Sequence, residues 1–309
     1  MLAVLLKTLP FFALIGLGYG AARVRFFPPE ATAYLTRFVF YFALPAMIFR
    51  FAATLPVSEL LNPRFLAAYL CGTMGVYLIA TAVALLRRTS VGEAAVEAQC
   101  AAIGNTGFLG LPMLAVLLGA ASVGPVMMVL TTDLIVFSSL IVILITGAGD
   151  GRISPAILRN VGIGLMKNPM IVAIVLGLVW SGLAWPMPGP LDDFLTLLGA
   201  AATPGALFAI GASLAERSAE RVEVAAWLSF AKLVLHPAAV AVTSLILFKV
   251  EPYAAGVMIA AAALPVAGNI YILARHYGVA PQRVSAAILL STTASILTVP
   301  AVIAWVLNL

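Results

Sequence analysis

Charge is what this sequence has least of. Of 309 residues, 17 are Lys or Arg and 12 are Asp or Glu, together 9%, where a soluble domain carries about a quarter. A chain so poor in charge cannot cover a water-facing surface, which excludes an ordinary soluble globule. Histidine occurs twice and cysteine twice. No His-Glu-x-x-His run and no metal-ligand cysteine spacing is present, which argues against an enzyme, a metal site or a redox domain. Cys71 and Cys100 both lie inside apolar runs, where cysteine behaves as a small packing residue. No basic run exceeds the pair Arg87-Arg88, so the net charge of +5 does not describe a nucleic-acid surface.

What the chain has instead is apolar length. Hydrophobic residues make up 63% of it, and the mean hydropathy is +1.12. A hydrocarbon core about 30 Å thick needs roughly 20 apolar residues in a helix. Such stretches occur at 3–22, 31–53, 65–86, 92–118 and 123–147, then at 168–184, 193–214, 224–247, 253–276 and 284–307. The expected fold is therefore all-α and integral to the membrane, with ten transmembrane helices. The first stretch, with Lys7 ahead of an apolar run ending in Gly20-Ala21-Ala22, has the look of a secretory signal. It is expected to be retained, because a partner for it recurs later in the chain.

Basic residues sit beside the odd-numbered loops: Arg23 and Arg25, Arg87 and Arg88, Arg152, Arg159 and Lys167, Arg217 and Arg221, Arg275 and Arg283. The even-numbered loops hold only Arg64 and Lys249. By the positive-inside rule this bias places the odd loops in the cytoplasm and both termini outside, in the inner (plasma) membrane of the cell.

A shift of 159 residues brings the chain into register with itself. Pro10 falls on Pro169, Gly18 on Gly177, Pro45 on Pro204, Phe49 on Phe208, and Thr132-Asp133 on Ser291-Thr292. The stretch Gly104 to Pro112 falls on Ala263 to Tyr271, alike in composition, so four helix pairs share this one ungapped shift. The expected organisation is a first five-helix repeat over 1–147, a cytoplasmic connection over 148–167, and a second repeat over 168–309. Five spans is an odd number, so the second repeat enters the membrane from the opposite side. Inverted repeats are a recurrent transporter design, with the site at their interface near the midplane.

Spans 4 and 9 carry helix breakers at equivalent depth. Span 4 holds Gly104-Asn105-Thr106-Gly107 and Gly110-Leu111-Pro112, and span 9 holds Leu264-Pro265-Val266-Ala267-Gly268-Asn269. Proline removes a helix hydrogen bond and glycine weakens the helix further. Unwound backbone at that depth is tolerated only where protein buries it or a cavity adjoins it. Two such breaks should cross, with their half-helix N-termini aimed at one site. Asn105, Asn269 and Thr106 are then substrate-binding candidates, since amide and hydroxyl groups donate and accept. Pro112 and Pro265, which shape the breaks, join them as substrate-binding candidates.

Three of these segments also resemble a known family: Gly104 to Pro112 (GNTGFLGLP), Lys167-Asn168-Pro169-Met170-Ile171, and Leu264 to Asn269 followed by Ala274-Arg275-His276-Tyr277-Gly278. They are similar to the auxin efflux carrier family, which includes bacterial carriers and the plant PIN proteins. The resemblance implies a scaffold of helices 1, 2, 6 and 7 and a transport domain of helices 3–5 and 8–10. It also implies elevator-like alternating access with substrate at the crossover, and a homodimer joined through the scaffold. The implied substrate is a small organic anion, a carboxylate such as malonate or malate.

Charges within the bilayer are expensive and mark candidates for function. Arg37 and Arg50 lie near the ends of span 2, where they can snorkel to the interface. Glu97 sits about a turn and a half inside span 4, and structural and functional roles both stay open for it. Asp133 lies near the centre of span 5 beside Thr132, opposite the equivalent Ser291 and Thr292 of span 10. Lys232 and His236 share a face of span 8. Asp133 with Lys232 reads either as a proton-linked switch or substrate anchor, or as a static buried pair. No cofactor is expected, and whether a coupling ion, proton or sodium, takes part stays open. The partners are lipid and the anion. The competing functions are a channel and a membrane sensor.

Overall fold

The computed structural model describes residues 2–56, 62–150, 155–215 and 222–309. These residues are helical almost throughout, with no strand among them and one isolated antiparallel bridge, Gly104 to Val266. In chain order the helices are α1 (Leu2–Arg23), α2 (Pro29–Thr54), α3 (Pro63–Leu86), α4 (Val91–Ala102), α5 (Thr106–Leu118) and α6 (Ala120–Ala148). There follow α7 (Pro155–Lys167), α8 (Pro169–Gly182), α9 (Gly189–Ala215), α10 (Val222–Leu247), α11 (Pro252–Ala262), α12 (Asn269–Tyr277) and α13 (Pro281–Val306). Among the described residues, seven helices are long and apolar enough to cross a membrane, or eight if the bent pair α7–α8 counts as one. The apolar stretches at 92–118 and 253–276 are each divided into two shorter helices. The protein is a multi-span membrane protein, and side chains such as Leu6, Leu17, Leu176 and Leu197 face outward from it.

The connection expected over 148–167 is not simply loop. Within it α7 is helical and meets α8 at 72°. Asn168 explains the corner: its side chain caps α8 by accepting from the Met170 N–H at 3.0 Å, and Pro169 cannot continue the helix before it. Similar stops begin α3 at Asn62-Pro63 and α11 at Glu251-Pro252. At α4 a capping box of Ser90 and Glu93 does the same.

Three helices carry a π-helical turn with a proline two residues past its end. Val39–Ala43 precedes Pro45, Thr106–Gly110 precedes Pro112, and Ala231–Leu235 precedes Pro237. A proline ring clashes with the carbonyl four residues back, and a widened turn relieves that clash. The third of these turns places Lys232 and His236.

In lipid no hydrophobic force draws helices together, so close approach of small residues has to hold them. Helix α1 packs on the second half of α9, and α8 packs on the second half of α2. A Cβ on Gly18 would overlap the Phe208 carbonyl oxygen, and one on Gly211 the Ile15 carbonyl oxygen. At the other crossing a Cβ on Gly177 would collide with the Ala52 Cβ and stand 2.9 Å from the Phe49 carbonyl oxygen. Arg50 pairs with Asp192 through two hydrogen bonds of 2.6 and 3.2 Å instead of reaching only for solvent.

Candidate functional site

The helical rod of α4 stops at Ala102 and resumes as α5 at Thr106. That of α11 stops at Ala262 and resumes as α12 at Asn269. The two intervening stretches lie against each other as a short antiparallel pair. Asn105 N–H donates to the Pro265 carbonyl at 2.8 Å, Ala267 N–H donates to the Ile103 carbonyl at 3.3 Å, and Gly104 faces Val266. Unwound backbone inside a membrane protein must find such partners. Proline at 265 suits the arrangement because its carbonyl is used and its missing N–H is not needed. Glycine at 110 is required for a different reason, since a Cβ there would stand 2.5 Å from Leu264 Cδ1. Four helix ends therefore meet at one place, with the N-termini at Thr106 and Asn269 presenting partial positive charge.

Two ionisable groups flank this crossing. Asp133, in a π-helical turn of α6, accepts from the Tyr69 hydroxyl at 2.7 Å and from Thr106 Oγ1 at 3.4 Å. Lys232 is completely buried. Its Nζ donates to the Ala262 carbonyl at 2.5 Å, at the frayed end of α11, and meets His236 Nδ1 at 2.9 Å. It lies directly behind Gly104, where a Cβ would stand 3.2 Å from both Cε and Nζ. His236 Nε2 in turn meets Thr73 Oγ1 at 3.0 Å. No ion pair within 4.0 Å joins Asp133 to Lys232 among the described residues. The two charges still act on one another electrostatically.

The other candidates divide by place. Asn105 is nearly buried within the crossing, and Asn269 begins α12 with its Oδ1 buried and without a hydrogen-bond partner. Ser291 accepts from the Val266 N–H at 3.1 Å, so it braces the second break. Pro112 stands in the first turn after the π-helical start of α5. Thr132 bonds back to the Met128 carbonyl at 2.8 Å, and Thr292 is buried on α13. Glu97 lies apart, held by Arg87 and Arg283 near the ends of α3 and α13, with Arg283 also bridging to Glu93 at 3.0 Å. It ties three helices together away from the crossing.

Tyr69 and Thr73 belong to this region and were not among the candidates read from sequence. The one signal available was two polar side chains four residues apart in the apolar α3, on the face a partner helix must cover.

Comparison with known proteins adds the lineage. The family profile described as "Membrane transport protein" matches residues 3–303. This chain belongs to that family, the auxin efflux carriers. Family members similar to it include the "Putative malonate transporter" of Rhizobium meliloti (strain 1021), 33% identical over 297 residues, covering 94% of this chain and 92% of the relative. The "Probable auxin efflux carrier component 5c" of Oryza sativa subsp. japonica is 25% identical over 271 residues, covering 69% and 71%. The family match runs through both broken helices of this chain. The names of both relatives describe transport rather than catalysis.

Proposed function

We propose that this protein is a secondary transporter of a small organic anion, a carboxylate such as malonate or malate. The observation that carries the proposal is the buried amino group of Lys232 immediately behind Gly104, where the two broken helices cross. A carboxylate at the crossing would meet the N-termini of α5 and α12, the amides of Asn105 and Asn269, and the field of Lys232. Asn269 Oδ1, buried and unpartnered, is a polar group still in need of a partner. Within this reading Thr106 links the substrate to Asp133. The described name of the bacterial relative agrees in substrate class.

The proposed architecture is ten spans in two inverted repeats, with α4–α5 and α11–α12 each counted as one broken span. Tertiary contacts support it. The close approach of Gly18 to the Phe208 carbonyl and that of Gly177 to the Phe49 carbonyl are the same contact with the halves exchanged, since each residue is 159 positions from its counterpart. Exchange of the halves is a route to alternating access. The scaffold would be α1, α2, α8 and α9, where these glycine contacts lock helices together. The transport unit would hold the crossing and slide past it as an elevator. Phe40 of α2 stacks on Phe108 of α5 at 6.4 Å across that boundary. Both termini would face outward at the inner (plasma) membrane, with a second copy joined through the scaffold.

Reconstituted protein should take up labelled malonate, malate or indole-acetate with saturation and should show counterflow. Loss of uptake in both Asn105→Ala and Asn269→Ala would place the substrate at the crossing. Absence of saturable counterflow with every anion, from folded protein, would sink the proposal.

A further inference from the structure

Behind the crossing, a row of buried hydroxyl and imidazole groups lies between Asp133 and Lys232. Asp133 Oδ1 accepts from Tyr69 at 2.7 Å. Thr73 stands one turn further along α3, on the helix face that carries Tyr69, and is as deeply buried. Thr73 Oγ1 lies 3.0 Å from His236 Nε2, and His236 Nδ1 lies 2.9 Å from Lys232 Nζ. None of the five side chains is more than 4% exposed. The row runs from the residue that holds Thr106 at one break to the residue that holds the Ala262 carbonyl at the other.

Every interior member is amphoteric. A tyrosine or threonine hydroxyl both donates and accepts, and an imidazole does so across its two nitrogens. Only the ends carry charge. That is the composition a proton path needs, and a merely structural link between α3 and α10 needs none of it.

We propose that Tyr69, Thr73 and His236 form a proton relay that converts Asp133 and Lys232, which do not touch, between a charged and a neutral state. In the forward step, a proton leaves Lys232 Nζ for His236 Nδ1 and the Nε2 proton passes to Thr73 Oγ1. The Thr73 hydroxyl proton passes to Tyr69, and the Tyr69 proton passes to Asp133 Oδ1. The ammonium becomes an amine and the carboxylate becomes a carboxylic acid. No proton enters or leaves the protein, and no other reactant is needed. The imidazole ends with its hydrogen on Nδ1, facing the Ala262 carbonyl at 3.2 Å, so that carbonyl keeps a donor in both states.

The inference rests on the anion-carrier reading, and it supplies a reason for the two charges. With an anion at the crossing, Lys232 has a counter-charge and stays an ammonium. When the anion leaves, an isolated ammonium and an isolated carboxylate remain in a dry interior, where each is costly. The transfer removes both charges, so the empty carrier returns in a neutral form. Other titratable groups nearby do not complete the path. Tyr77 donates to the Ala95 carbonyl at 3.3 Å and lies beside Cys100, and Glu97 is held by two arginines.

The test separates return of the empty carrier from movement of the loaded one. In counterflow the carrier crosses loaded in both directions, whereas net uptake requires the empty form to return. The full-length protein is reconstituted in liposomes, and labelled malonate is followed with and without unlabelled malonate inside. Thr73→Val keeps the shape and removes the hydroxyl, and the ratio of net uptake to counterflow should fall about tenfold or more. Thr73→Ser should restore it. Tyr69→Phe should lower it likewise, and it decides the matter if Thr73→Val does not reach the membrane. An unchanged ratio in these variants overturns the relay alone. A parallel fall of both rates, with no rescue by serine, shows a structural contact and also overturns it. No counterflow in the wild type overturns the carrier reading and the relay with it.

Discussion

Replacing Lys232 by methionine removes the positive charge behind Gly104 while keeping most of the side-chain volume. For a carboxylate roughly 6 Å away and an effective dielectric of about 20, the lost attraction is about 3 kcal/mol. Each 1.4 kcal/mol is about a factor of ten in affinity, so KM for the anion should rise on the order of a hundredfold. Stability should move far less. The Ala262 carbonyl loses the lysine donor at 2.5 Å, but His236 Nδ1 is 3.2 Å away and can serve once its hydrogen sits there. Any remaining loss, about 1 kcal/mol, is set against relief of a charge buried in a dry interior. The expected outcome is a folded protein with an unchanged or raised melting temperature in detergent and almost no uptake at low substrate concentration. Lys232→Arg should be poor as well, since the larger guanidinium would crowd Gly104, whose position already lies close against Lys232 Cε and Nζ. The assay is saturable uptake of labelled malonate into liposomes, with thermal unfolding measured on the same preparation. A Lys232→Met protein with wild-type KM would refute the claim that this charge serves the substrate.

Asn269→Ala should raise KM without lowering the melting temperature, because its Oδ1 makes no hydrogen bond in the protein as it stands. Measuring both on one sample checks this, and a clear loss of stability would contradict it. Glu97→Gln should do the reverse, lowering the melting temperature by the equivalent of about 1–3 kcal/mol while leaving KM near wild type, since the residue ties α3, α4 and α13 together away from the crossing. Gly211→Val should prevent α1 from seating on α9, because its Cβ would overlap the Ile15 carbonyl. Folded yield in the membrane should collapse, as overpacking against rigid backbone costs about 1–3 kcal/mol or more. Arg50→Ala removes a pair whose two side chains are about a third exposed. The expected change in melting temperature is small, and smaller still at high salt.

Much of the site was legible before any coordinates, because it is written in residues with strong backbone rules. Gly104, Gly110, Pro112 and Pro265 announce interrupted helices on their own, and Asn168-Pro169 announces a helix start. Charges inside apolar stretches announce Asp133 and Lys232. The relay was not legible. Tyr69 and Thr73 are ordinary residues in an apolar span, and their meaning comes from which helix covers them. The same holds for Glu97, whose two roles could not be separated until Arg87 and Arg283 were seen to reach it from different helices. Whether Asp133 contacts Lys232 was open in the sequence, and no ion pair within 4.0 Å joins them among the described residues.

What the sequence by itself determined is what covalent chemistry and solvent preference decide locally: a membrane protein, the places where helices stop, and the residues too costly to bury without purpose. Those follow because hydropathy, proline and glycine act within a turn or two of chain. Only the tertiary structure decided that two breaks more than 150 residues apart hydrogen-bond to each other, and that one buried charge faces each break. The reason is that convergence depends on helix rotation and crossing. In lipid these are set by where a glycine lets two backbones approach, and no local pattern records that.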